Sequence, residues 1–124
     1  MLKELRGCFD FFWEEWNSDP TSPTYGMTNG DYVGLKKYAP MAIEEQGFYF
    51  TAIIIGVERG WIGRQEGEQR ILTTLKSLAN LKRVRGFWYH FIDQDSGKRG
   101  WRDSPNVELS NASTGTMILG ALAA

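Results

Sequence analysis

The chain of 124 residues has one cysteine and one histidine, and no long uncharged apolar run. A single Cys8 excludes a disulfide framework and a cysteine-rich zinc site. A single His90 excludes a multi-histidine metal site and leaves no second imidazole for catalysis. The longest apolar run, Gly47 to Val57, is about half of what a membrane span needs. Charge of one sign is also missing: 14 basic against 15 acidic side chains give a net charge of −1. That balance argues against a nucleic-acid binder, whose footprint is a basic face. The opening Met1-Leu2-Lys3-Glu4-Leu5-Arg6 carries both signs and has no secretory pattern, which points to a cytoplasmic chain as given. No phosphate loop, nucleophile elbow or Cys–His pair is present, and nothing calls for a cofactor.

What is abundant is aromatic surface, with 5 Trp, 5 Tyr and 7 Phe. At 42% apolar and 23% charged residues, the chain has the composition of a folded domain. Its length suits one unit over residues 1–124. Leu2, Leu5, Phe9, Phe12, Trp13 and Trp16 recur at helical spacing, so residues 2–17 are expected to form a helix. Asn17-Ser18-Asp19-Pro20 ends it. Residues 18–38, with prolines, glycines and three tyrosines, read as a long structured loop. Pro40 opens a second helix over 41–59 that is apolar on nearly every face and must be covered on several sides. A third, over 64–83, is amphipathic, with Ile71, Leu72, Leu75, Leu78 and Leu81 marking one face.

The period then changes. Gly86 to Ile92 is rich in strand formers, Asp93-Gln94-Asp95-Ser96-Gly97 is turn chemistry, and 98–102 can return as a short strand. The Asp93-x-Asp95-x-Gly97 spacing lacks the later ligands of a calcium loop, because position 104 is Ser. Ser110 or Asn111 caps a fourth helix that stays apolar to the end, as a truncated chain would. Glu14 and Glu15 are adjacent, so on a helix they point about 100° apart and cannot converge on one atom. Lys82-Arg83-x-Arg85 suits the C-terminus of the third helix. From the residues alone, His90 is a structural imidazole more readily than a general base.

Several blocks, in order, resemble the glucoamylase-like glycoside hydrolase domain, the group that includes bacterial endo-β-1,2-glucanases and the cyclic β-1,2-glucan synthase processing domain. They are Phe11-Phe12-Trp13-Glu14-Glu15 with Asn17 to Gly26, Gln46-Gly47-Phe48 to Ala52, Gly56-Val57-Glu58-Arg59-Gly60-Trp61-Ile62, and Arg70 to Leu75. Gly86-Phe87-x-Tyr89-His90-Phe91, Gly97-Lys98-Arg99-x-Trp101, Glu108-Leu109-Ser110 and Gly120-Ala121-Leu122 follow. The resemblance implies a mainly α fold: about four helices of an incomplete (α/α)6 toroid with one short β-hairpin, the N-terminal portion of the ring. It implies a glucan or oligosaccharide partner, β-1,2-glucan type first, with no nucleic acid, membrane, metal or cofactor.

By the same resemblance, Glu108 is the candidate catalytic carboxylate. Trp13, Trp61, His90, Trp101 and Ser113 are the candidate substrate-binding residues. Ser113 stands where the group typically has a cleft Asp, and Tyr49 stands where it has a small residue. Ala42-Ile43-Glu44-Glu45 and the stretch Arg102 to Val107 also depart from its pattern. Glycoside hydrolysis needs two positioned carboxyl groups, so the isolated chain is expected to be inactive. The alternative is a non-catalytic carbohydrate-binding or assembly module, with self-association or the missing remainder of the toroid covering an open edge.

Overall fold

The computed structural model describes residues 1–30, 40–100 and 106–124. Trp101, Tyr32, Tyr38 and the start of the Arg102–Val107 stretch lie outside the described residues. Four helices form among those described: α1 (Leu2–Glu14), α2 (Ile43–Glu58), α3 (Arg64–Asn80) and α4 (Asn111–Ala123). Two short strands, β1 (Met41–Ala42) and β2 (Phe91–Ile92), pair antiparallel, Met41 with Ile92 and Ala42 with Phe91. Among the described residues, no helix is long and apolar enough to cross a membrane.

The all-round apolar α2 is the central element and packs against α1, α3 and α4. Ile43, Tyr49, Phe50 and Ile53 are fully buried along it. Tyr49 therefore fills the core, against the Phe12 and Phe50 rings, and does not intrude into a cleft. Glycines set the helix spacings. A Cβ on Gly120 of α4 would lie 2.3 Å from the Gly47 carbonyl oxygen of α2, and one on Gly56 would lie 2.3 Å from the Phe9 ring.

The loop from Glu15 to Gly30 is ordered by its own polar side chains. Asn17 Nδ2 donates to Ser22 Oγ at 2.7 Å and to Thr24 Oγ1 at 2.8 Å. Thr24 Oγ1 in turn donates to the Gln94 carbonyl at 2.7 Å. The backbone of Trp16 and Asn17 pairs with Met27 and Thr28, which pulls those residues out of the helical path. That is why α1 stops at Glu14 and not at 17.

On α3 the buried residues are Gly67, Thr73, Thr74 and Leu78, while Leu72 is half exposed. The apolar stripe read from the sequence is thus rotated by the need to hold the loop: Thr74 Oγ1 donates to the Gly26 carbonyl at 2.6 Å, and Ser77 Oγ to that of Tyr25. Gly26 adopts φ +87°, and a Cβ there would meet Thr73 Cγ2 at 2.7 Å, so only glycine fits. The helix ends at Asn80, three residues before the expected end. The Trp88 indole N–H takes the Leu78 carbonyl at 3.1 Å and Arg83 takes that of Ala79 at 3.3 Å.

The turn at 93–97 forms as the sequence suggests. Asp93 Oδ1 accepts from the Ser96 N–H and hydroxyl, and Gly97 takes φ +64°. Ile92 then bridges to Arg99. The strand 91–92 has a second neighbour, β1, which periodicity could not reveal. At the far end, Ser110 caps α4 by accepting from the Ser113 N–H at 3.0 Å. Ile118, Leu119 and Leu122 of α4 are 42%, 71% and 80% exposed, and Phe48 of α2 is 53% exposed, so an apolar face stays open.

Candidate active site

Backbone pairing brings three segments together at the N-terminal end of α2. The His90 N–H donates to the Glu108 carbonyl at 2.9 Å, and the His90 carbonyl accepts from the Ile43 N–H at 3.0 Å. Tyr89 bridges Leu109 on the same edge. His90 is therefore clamped between the segment leading to α4 and the first turn of α2. Its side chain repeats the arrangement: Nδ1 lies 2.7 Å from Glu108 Oε1 and Nε2 lies 2.9 Å from Glu44 Oε1. The ring stacks on Phe91 at 4.0 Å.

A neutral imidazole has one donor and one acceptor nitrogen, whereas an ionised carboxylate only accepts. Two carboxylates facing both nitrogens thus call for the doubly protonated imidazolium. Partial burial works against that charge, but hydrogen bonds and attraction from Glu108 and Glu44 outweigh it and raise the His90 pKa above 6.5. The Glu108 carboxyl is held below its ordinary 4.5, first by its own backbone N–H and then by the His90 ring. Glu108 is 67% exposed, so the ion pair is partly screened by water.

These shifts set a pH window. The His90 contribution is fully present below 6.5 and is lost as pH rises through its raised folded value. The Glu108 contribution is present above 4.5 and is lost as pH falls through its lowered folded value. The melting-temperature difference between the parent chain and His90→Asn is expected to be largest between pH 4.5 and 6.5. Thermal melts of both proteins across pH 3 to 9 measure it, and a pH-independent difference would contradict the charged ring.

Of the candidate residues, the structure brings His90 and Glu108 together. Ser113 is buried in the first turn of α4 and makes no hydrogen bond to either. Trp61 follows the other end of α2, its N–H on the Gly56 carbonyl. A 16-residue helix spans about 24 Å, which separates Trp61 from His90. Trp61 packs on Phe9, as does Trp13, whose other neighbour is the Arg70 guanidinium at 3.8 Å. Trp101 lies outside the described residues.

Glu44, the third member of this cluster, is not among the candidates read from the sequence. It was visible only as one of two adjacent glutamates at a helix start. Trp16 and Tyr25 were missed too; with Gln65, Glu66, Gln69 and Arg70 they line an open groove of about 530 Å³. Among the described residues, no group of three or more His, Cys, Asp or Glu is arranged to hold a metal ion.

The four helices, with α2 covered on three sides and polar groups gathered at its N-terminal end, form part of an α/α toroid, as the fold of solved relatives shows. The chain is a partial glucoamylase-like domain. An endo-β-1,2-glucanase from Chitinophaga pinensis, solved with sophorotriose and glucose, matches 94% of the chain with a TM-score of 0.74 at 24% identity. A glucoamylase-like protein from Bacteroides caccae matches 96% with a TM-score of 0.76 at 25% identity. The chain covers only 28% and 29% of these two proteins. An exo β-1,2-glucooligosaccharide sophorohydrolase of Parabacteroides distasonis is 34% identical over 90 residues, 73% of this chain but 12% of that relative. No protein-family model matches the chain.

Proposed function

We propose that this chain forms part of a glucan-binding cleft of the β-1,2-glucan type, with Glu108 as its cleft carboxylate, and that the 124 residues alone do not hydrolyse glycosides. The observation that carries this reading is the Glu108 carboxylate, exposed yet fixed on the His90 ring at 2.7 Å. A carboxylate held that way accepts a hydrogen bond from a sugar hydroxyl, or accepts a proton. It is a poor general acid, because its pKa is lowered. Glycoside hydrolysis requires a protonated partner opposite the base or nucleophile. Glu44, the other carboxylate here, is itself an acceptor for the same ring. The acid would have to come from outside these residues. The relatives' activities on β-1,2-linked glucose oligomers favour that linkage.

Amide NMR spectra of the chain, recorded with increasing β-1,2-gluco-oligosaccharide, test the reading. Peaks of His90, Glu108 and their neighbours are expected to shift, and no reducing sugar is expected to form. Release of reducing sugar by the chain but not by Glu108→Gln would overturn the inactive reading.

The second reading, a non-catalytic binding or assembly module, draws on the groove at Trp16 and Tyr25, whose ring surfaces and amide side chains suit a sugar. It also draws on the open face of Ile118, Leu119 and Leu122, which a second copy or the rest of a ring would cover. Shifts confined to the groove, or line broadening that grows with protein concentration, would favour it over the first.

A further inference from the structure

We propose that Glu44 is a positioning residue that acts on Glu108 through the His90 ring. This rests on the reading of Glu108 as the cleft carboxylate.

Glu108 alone would be satisfied by a neutral imidazole carrying its proton on Nδ1, with Nε2 left as an acceptor. Glu44 removes that option by placing a second carboxylate oxygen 2.9 Å from Nε2. The ring must then keep both protons, and its plane is pinned between two fixed points and the Phe91 face.

Glu44 is itself well anchored for this task. It is the second residue of α2, where the helix dipole favours an anion. The Ile43 N–H to His90 carbonyl bond fixes the distance from that helix start to the ring. The other first-turn carboxylate, Glu45, turns back to the Ala42 N–H at 3.3 Å. One Glu44 oxygen, Oε2, is buried with no hydrogen-bond partner among the described residues, a cost that a mere surface carboxylate would not bear.

The charged groups facing the ring are Glu44 from α2 and Glu108 from the segment before α4. The two act differently: Glu108 is 67% exposed and able to meet a ligand, while Glu44 is 28% exposed and spends its contact on the ring. Glu44 thus keeps in place the ring that aims Glu108.

His90 is the only histidine, so the ring nitrogens of the full chain give a single pair of signals in an ¹⁵N spectrum. In the parent chain at pH 6.5 both are expected to be protonated. In Glu44→Gln, which keeps an oxygen acceptor but no charge, the His90 midpoint should fall and the neutral ring should hold its proton on Nδ1. The Glu108 side-chain ¹³C signal, which senses the ring 2.7 Å away, should show its second inflection at the same lowered His90 midpoint, and Glu44→Asp, which restores the charge, should recover part of both shifts.

An unchanged His90 midpoint in a folded Glu44→Gln protein, read on the ring nitrogens and on the Glu108 carboxyl signal, would overturn the proposal. If that variant does not fold, a parent ring that is mostly neutral at pH 6.5 overturns it equally. The glucan reading fails separately: oligosaccharide that leaves the parent Glu108 signal unmoved would refute it while the Glu44 coupling stood.

Discussion

Gly120→Ala is expected to destabilise the chain by about 2 kcal/mol, while Gly115→Ala, five residues earlier in the same helix, is expected to stabilise it by about 0.5–1 kcal/mol. Both substitutions gain the same helix propensity, since glycine is about 1 kcal/mol worse than alanine inside a helix. The difference lies in what the new methyl group meets. At Gly115 a Cβ has nothing within 4 Å. At Gly120 it would lie 2.3, 2.6 and 2.7 Å from the carbonyl oxygen, Cα and carbonyl carbon of Gly47. Those atoms are backbone inside α2 and cannot rotate away, so the two helices must separate.

The crossing is equally tight on the other helix, because a Cβ on Gly47 would meet the Thr116 carbonyl at 2.5 Å. Overpacking of this kind costs about 1–3 kcal/mol or more, which outweighs the propensity gain. Urea unfolding midpoints of the two variants decide the matter. A Gly120→Ala protein as stable as Gly115→Ala would mean that α2 and α4 do not cross this closely.

The second large effect is expected at Gln46. This side chain is fully buried and behaves like a short length of strand towards Thr28. Its Oε1 accepts from the Thr28 N–H at 2.9 Å, and its Nε2 donates to the Thr28 carbonyl at 3.1 Å and to the Ala42 carbonyl at 3.0 Å. Gln46→Met keeps nearly the same shape and removes all three bonds. Thr28 is itself fully buried, so its N–H loses its partner with no water to replace it. Each orphaned buried polar group costs about 1–3 kcal/mol, so a total loss of about 2–5 kcal/mol is expected.

That effect should be local in a second observable. The Glu15–Gly30 loop is docked onto α2 through this amide, so exchange of the Thr28 amide should speed up far more than exchange within α3. An unchanged denaturation midpoint together with unchanged Thr28 protection would show that the amide does not hold the loop.

Helix periodicity, end signals and turn chemistry were legible because they are local. The stripe from Leu2 to Trp13, the all-round apolar run in α2, the Asp93–Gly97 turn and the Ser110 cap each need only neighbours within a few residues. The order of motif blocks carried the toroid resemblance for the same reason, since each block is short and self-contained. The ends of α1 and α3 were misjudged by three residues where a distant group intervened: Met27 and Thr28 draw Trp16 and Asn17 into an extended pairing, and Trp88 takes a carbonyl from the last turn of α3.

Only the tertiary structure decided the candidate site. Glu44, His90 and Glu108 are separated by 46 and 18 positions, and no period connects them. They meet because β1 pairs with β2, which sets His90 beside the start of α2, and because Tyr89 bridges Leu109, which sets Glu108 on its other side. Amino-acid type alone determined that the chain is a helical, aromatic-rich domain with one imidazole. That this imidazole faces a carboxylate on each nitrogen, which favours its charged form, followed from long-range backbone hydrogen bonds, because the protonation of a histidine depends on what faces its two nitrogens in space.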